Sequence, residues 1–138
     1  MSGGREHWDE GAPWNRRAPR WFWAVAGACL AWNVLVAGQF LLSGVRVHGA
    51  LPPPVAGSVA LAVAGALAGS ALMLARLRHA AMAYVLSFAG AAGALAWHYT
   101  HGAPGLERGV VPYALAMPGV ALLQLWLSRR LFWLGLLR

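Results

Sequence analysis

Four long apolar segments constrain what this chain can fold into. They cover about residues 21–42, 55–75, 80–97 and 110–127. At about 1.5 Å per residue, a helix of this length can cross the roughly 30 Å hydrocarbon core of a bilayer. Backbone groups in lipid must find their hydrogen bonds within the segment, which a helix provides. We therefore predict an all-α membrane protein with four transmembrane helices.

The composition indicates a chain with little surface in water. Hydrophobic residues make up 59% of the 138 residues and charged residues 11%, whereas about a quarter of a typical soluble domain is charged. The net charge of +7 comes from eleven arginines in short clusters between the apolar segments. A nucleic-acid-binding protein would gather them on one soluble face. We expect the partners to be the lipid bilayer and other membrane subunits, and not nucleic acid.

The short connections predict an up-down bundle. Residues 43–54, 76–80 and 98–109 join the helices, and connections of this length favour antiparallel neighbours. With the N-terminus inside, nine of the eleven arginines lie on the inner side and two on the outer side, as the positive-inside rule requires. The sequence therefore predicts a multi-pass protein of the bacterial inner membrane with both termini cytoplasmic.

The N-terminal residues 1–20 form a polar tail that precedes the helical part at 21–127. Its composition gives it little power to form a core. Trp8 and Trp14 are candidate anchors in this tail, either for a partner protein or for the headgroup layer. The first apolar segment begins too late and is too long for a cleavable signal peptide.

The C-terminal residues 128–138 are mostly apolar but too short to cross a bilayer. They are typical of an interfacial tail, with Phe132 and Trp133 in the headgroup layer. Docking onto a partner is the alternative interpretation.

Two amide side chains, Asn33 and Gln39, lie in the first apolar segment, close to Trp32. Six residues correspond to about 600° of helical rotation, so the two amides face different sides. An amide in lipid seeks a partner across a helix interface, a contact worth about 0.6–2 kcal/mol. We interpret both as helix-packing residues, with contact to a bound solute or cofactor as the alternative.

Gly65 and Gly69 form a G-x-x-x-G pattern in the second segment. Small residues at this spacing allow two membrane helices to approach closely. Packing inside the bundle is the first interpretation, and contact with a partner or a second copy is the alternative.

Three histidines, His48, His98 and His101, lie on the predicted outer side. Imidazole binds zinc and copper, so these histidines are candidates for a metal site. The favoured interpretation is that they are ordinary interfacial residues. No catalytic triad, carboxylate pair, phosphate-binding loop or cysteine–histidine metal spacing accompanies them. We therefore predict no enzymatic activity, no cofactor and no metal site.

Several features of the chain form a pattern: the Trp32-Asn33 pair, Gly65 and Gly69 ahead of "LMLARLR", Ser87, Pro118, and Trp126 before Arg129-Arg130. This pattern resembles that of a family of small bacterial inner-membrane proteins with four predicted helices and an uncharacterised function. The resemblance covers about residues 28–138. Some members carry a sugar-transporter-like label. The chain departs from the family pattern at Val36, where members have a glycine, and its outer loop is shorter.

Three functions follow from these observations. The first is a non-catalytic accessory or assembly subunit of a larger inner-membrane complex, of which an energy-converting complex is one kind. The second is a small oligomeric transporter or channel for a neutral solute, lined by Asn33, Gln39, Tyr84 and Ser87. The third is a metal- or haem-binding component that uses His98 and His101.

Overall fold

Each apolar segment forms one α-helix in the computed structural model, which describes residues 18–47, 52–101 and 111–137, with the backbone alone at 43–47 and 111–115. In chain order the helices are α1 (Arg20–Val47), α2 (Pro53–Leu74), α3 (Ala80–His101) and α4 (Val111–Trp133). The all-helical prediction is confirmed for the described residues, which contain no strand.

Three of the four helices are long and apolar enough to cross a membrane: Arg20–Leu42 within α1, and all of α2 and α3. The described part of α4 is not long and apolar enough by the same criterion. That part contains Gln124 and ends in a segment with Arg129 and Arg130. Four equivalent spans were predicted, and the described structure supports three.

The boundaries of α2 follow from its end residues. Its first residues are Pro53 and Pro54, and proline suits the first helical turn because its missing N–H would have no partner there. At the other end, Arg76 adopts a left-handed backbone conformation with φ 60°. Leu77 N then donates to Leu72 O at 2.8 Å, and Arg76 N to Met73 O at 3.0 Å, which is the Schellman pattern of a helix end.

The end of α4 uses the same device, with glycine in the left-handed position. Gly135 has φ 70°, and Leu136 N donates to Leu131 O at 3.0 Å. Leu131, Leu136 and Leu137 are all buried. Within residues 128–137, where the sequence predicted a separate tail, α4 runs to Trp133 and the chain then turns back onto the bundle. The physical reason is the apolar contact between Leu131 and Leu136 that accompanies a Schellman end.

The helices pack in sequence order, α1 on α2, α2 on α3 and α3 on α4. One end of the bundle holds a buried group that we call the terminal cluster. It joins the start of α1, the end of α2, the start of α3 and the end of α4, so consecutive helices alternate in direction. Its members are Phe22, Ala26, Met73, Ala80, Tyr84, Leu131, Leu136 and Leu137.

The tightest helix contact is between α2 and α3, and glycine makes it possible. A Cβ atom at Gly65 would lie 2.7 Å from Ser87 N, and one at Gly90 would lie 2.5 Å from Ser58 O. At Gly69 the neighbour is the Tyr84 ring, at 2.8 Å. Gly65 and Gly69 thus both face α3 of the same chain.

Candidate functional site

A layer of hydrogen-bonded side chains crosses the bundle next to the terminal cluster. We call it the polar layer, and it consists of Asn33, Ser70, Tyr84 and Gln124, one residue from each helix. All four are buried. Their neighbours are almost entirely apolar, so each hydrogen bond replaces one that water would otherwise supply.

Asn33 is the centre of this layer. Its Nδ2 donates to Ser70 Oγ at 2.7 Å and to the Ala66 carbonyl oxygen at 3.1 Å. Ser70 Oγ in turn donates to Ala66 O at 3.0 Å. Since this uses the one hydroxyl hydrogen of Ser70, Tyr84 is the donor in the 3.0 Å contact between the two hydroxyl groups. The chain of contacts ties α1, α2 and α3 together.

The amide of Gln124 brings α4 into the layer. Gln124 Nε2 donates to Asn33 Oδ1 at 3.3 Å. Asn33 Nδ2 also lies 3.4 Å from Gln124 Oε1, but its two hydrogens already serve Ser70 Oγ and Ala66 O, so this contact can only share one of them. These distances are long for N–H···O bonds. An amide nitrogen carries two hydrogens and an amide oxygen two lone pairs. Gln124 Nε2 therefore keeps one donor position beyond its contact with Asn33.

On the side of the polar layer away from the terminal cluster lies a cavity of about 370 Å³. All four helices line it, and most lining residues are apolar. Alanine is the commonest of them, at positions 62, 66, 91, 94, 116 and 121. The cavity exists because these short side chains do not reach across the space between the helices.

The polar lining residues lie at the floor and towards the far end. Asn33 and Gln124 form the floor, with Ser87 nearby; Ser87 Oγ donates to Ala62 O at 2.8 Å. Gln39 and His98 lie farther along α1 and α3. Among the described residues that line the cavity, none carries a carboxylate, guanidinium or ammonium group. The arrangement suits hydrogen bonding to a neutral molecule.

His98 lines this cavity and has an unsatisfied ring nitrogen. Its Nδ1 is buried and has no hydrogen-bond partner among the described residues. A buried polar atom without a partner costs about 1–3 kcal/mol. His101 is in a different environment: it is exposed, and its ring stacks on Trp97 with centroids 3.7 Å apart.

The candidate metal ligands form no cluster in the part of the chain that the structure describes. No group of three histidine, cysteine or acidic side chains is found there. His98 and His101 lie one turn apart but contact different surroundings, and His48 lies outside the described residues.

The two predicted amides lie along the same cavity rather than at two separate helix contacts. Asn33 is buried in the polar layer, while Gln39 is exposed and makes no hydrogen bond to another described residue. Trp32 also lines the cavity and is 53% exposed. Of the four residues predicted to line a solute pathway, Asn33, Gln39 and Ser87 do line the cavity. Tyr84 lies in the terminal cluster instead.

The predicted anchors divide into two groups. Phe132 and Trp133 are exposed, Trp133 by 80%, and their rings meet edge to face with centroids 6.3 Å apart. Trp8 and Trp14 lie outside the described residues.

Sequence reasoning missed Ser70 and Gln124. Each is an isolated polar residue in an apolar helix, which is the signal that identified Asn33. Comparison of the chain with protein-family models, with curated proteins and with solved structures found no match.

Proposed function

We propose that this chain is a non-catalytic accessory or assembly subunit of a larger bacterial inner-membrane complex, and that it contacts its host through the outward side of α1. The observation that supports this is the low burial of α1. Only 17% of its candidate span is buried inside the chain, against 28% for α2 and 33% for α3. A helix that packs so little on its own bundle has a long face left for another protein.

That face is opposite the residues that pack inward. It carries Ala24, Ala28 and Ala31, with Trp21 and Leu35 at its two ends, and all five are exposed. Their spacing of three and four residues places them on one side of the helix. Small residues let another membrane helix approach closely. We call this stripe the outer face of α1.

The same proposal includes the arrangement in the membrane. In it, α4 crosses together with the other three helices, and both termini are cytoplasmic. The arginine distribution supports this, since nine of eleven arginines then lie inside. The terminal cluster would lie at the cytoplasmic end, and the cavity in the outer half of the bundle.

The test is co-purification of the tagged full chain after extraction in a mild detergent, with native mass spectrometry of what accompanies it. We expect a partner in fixed stoichiometry. Ala28→Trp should remove the partner, because the indole ring prevents close approach at the outer face of α1. Ala64→Trp is the matched control, since Ala64 is an exposed position in α2 and should leave the partner bound.

Two results would contradict the proposal. One is a wild-type chain that comes out alone, with lipid as the neighbour of α1. The other is a partner that is retained equally by both tryptophan variants, which would place the contact elsewhere.

An oligomeric transporter or channel for a neutral solute is the second candidate, and one observation favours it: Asn33, Gln39 and Ser87 line a common cavity. The terminal cluster closes one end of this cavity, so a continuous path would need more than one copy. Recovery of the chain as a homo-oligomer without another protein would favour this function.

A further inference from the structure

The cavity above the polar layer has the properties of a ligand site that neither function assigns to a particular molecule. We propose that it binds a neutral, membrane-soluble amphipathic molecule. The apolar body lies among the alanine and valine side chains, and a hydroxyl or carbonyl oxygen contacts the Asn33–Gln124 pair. This inference rests on the cavity and does not depend on the subunit role.

Size is the first argument. The cavity measures about 370 Å³, within the range of about 300–1,000 Å³ found for small-molecule pockets. It is more than twice the roughly 150 Å³ apolar cavity that holds benzene. From Asn33 to Gln39 the helix rises about 9 Å, which matches a chain of about eight carbons with a polar end.

The floor supplies the polar contact. Gln124 Nε2 uses one hydrogen on Asn33 Oδ1 and has a second to donate. Asn33 Oδ1 accepts one hydrogen bond, from Gln124, and Gln124 Oε1 has only the shared 3.4 Å contact with Asn33, so each oxygen can accept another. A hydroxyl group, which both donates and accepts, fits this pair. A carbonyl oxygen of the ligand can also bind here, but only by accepting the second hydrogen of Gln124 Nε2.

The lining excludes charge. No described residue that lines the cavity carries a carboxylate, guanidinium or ammonium group, and among them only His98, towards the far end, is titratable near neutral pH. An unpaired ion at the Asn33–Gln124 floor is strongly disfavoured in these apolar surroundings. The ligand is therefore uncharged, which separates it from fatty acids and from phospholipid headgroups.

The route into the cavity lies on the open side of the bundle. Helix packing runs α1–α2–α3–α4, and the exposed lining residues Trp32, Gln39, Ala116 and Met117 belong to α1 and α4. A molecule dissolved in the bilayer can enter sideways between these two helices.

The test uses a diazirine analogue of octanol as the probe. The full chain in phosphatidylcholine vesicles is irradiated, and adducts are located by mass spectrometry. We expect adducts on Val36, Leu95 and Val120, which line the cavity. Excess octanol should lower their yield at least about fivefold, because it occupies the same site. Octane has no hydroxyl group and octanoate is charged, so both should compete poorly.

Two variants and a control complete the experiment. Gln124→Leu should raise the octanol needed for competition about tenfold, the effect of losing one hydrogen bond of ordinary strength. Ala121→Phe, which fills the cavity, should abolish the adducts, whereas Ala64→Phe on the outside of α2 should not.

The proposal is overturned if the cavity residues label no more than lipid-facing residues such as Leu35 and Met82, or if octane competes as well as octanol. The adduct distribution and the octane competition are both measured on the native chain, so they remain valid tests even if Ala121→Phe does not fold. They are also independent of co-purification: a chain that binds octanol but no partner contradicts the subunit role alone.

Discussion

Asn33 connects α1 to two other helices at once, because its amide contacts both α2 and α4. It contacts Ser70 and Ala66 on α2 and Gln124 on α4. In lipid there is little hydrophobic force to hold one helix against another, so such contacts determine which faces meet. We infer that Asn33 fixes the rotation of α1 as well as its affinity for the bundle.

Replacing this amide should therefore destabilise the chain. We expect Asn33→Leu to lower the free energy of unfolding by about 1–2 kcal/mol, because Ser70 and Gln124 lose a partner in apolar surroundings. Unfolding in mixed micelles measures the change. Gln39→Leu is the matched control: Gln39 is exposed, and its replacement should change stability by less than about 0.5 kcal/mol.

The double variant separates pairing from simple truncation. If Asn33 and Gln124 act as a pair, Asn33→Leu combined with Gln124→Leu costs less than the sum of the two single changes. Equal losses for Asn33→Leu and Gln39→Leu would show instead that the polar layer contributes nothing to stability.

At the scale of elements, α2 and α3 form the unit on which the other helices pack. Gly65, Gly69 and Gly90 bring the two helices together at distances that a side chain would block. Close approach increases van der Waals contact, which is a main source of attraction between membrane helices. Replacing a glycine at the α2–α3 contact is therefore most destabilising where the opposing atoms belong to the backbone and cannot rotate away.

Gly90 is such a position. A Cβ atom there would lie 2.5 Å from Ser58 O and 2.6 Å from Ala62 N, so Gly90→Ala must push α2 away. We expect a loss of about 1–3 kcal/mol, measured by the same unfolding assay, in spite of the higher helix propensity of alanine. Gly57→Ala is the control, because nothing lies within 4 Å of its added Cβ; it should be neutral or stabilising.

A smaller loss is expected at Gly69. Its neighbour is the side chain of Tyr84, which can shift while the backbone stays in place. If Gly69→Ala and Gly90→Ala were equally harmful, the distinction between backbone and side-chain neighbours would be wrong.

The helices were predictable from the sequence, because length and hydropathy alone determine that an apolar segment becomes helical. The residues at which the helices end were harder to predict. The end of α2 at Leu74 depends on Arg76 taking a left-handed conformation that usually favours glycine. The extension of α4 to Trp133 could have been expected from Gly135, a common residue just beyond a helix end.

The site was predictable only in part. Asn33 and Gln39 stood out as amides in an apolar segment, but nothing in the order of residues indicated that Gln124 would meet Asn33. The cavity was beyond sequence reasoning, since it results from six alanines on three helices whose relative positions follow from packing. Periodicity indicates which residues share a face, but not how much space two faces leave between them.

For the whole molecule, the two ends of the bundle differ. One end is filled by the terminal cluster, and a hydrogen bond of 2.8 Å from Arg76 Nε to Leu136 O joins the turn after α2 to the turn after α4. The other end contains the cavity. In the proposed orientation the filled end is cytoplasmic, so only the outer half of the bundle would admit a ligand.

Cysteine labelling tests this orientation. In a chain with Cys29→Ser, we expect Thr100→Cys to react with a membrane-impermeant maleimide in intact spheroplasts. Arg78→Cys should react only after lysis. Both positions are exposed, at opposite ends of α3. The reverse pattern would invert the topology, and labelling of both in intact cells would contradict a membrane-spanning α3.

The terminal cluster also determines the order in which the bundle can be completed. Phe22 and Ala26 belong to the first of the four helices, yet they pack in one cluster with Leu131, Leu136 and Leu137, which are synthesised after the first three helices. In the proposed membrane arrangement, lipid would cover this part of α1 until α4 is inserted, and Asn33 could contact Ser70 but not Gln124. We therefore expect a three-helix intermediate that is open along the side of α1 and accessible there to a chaperone or an insertion factor.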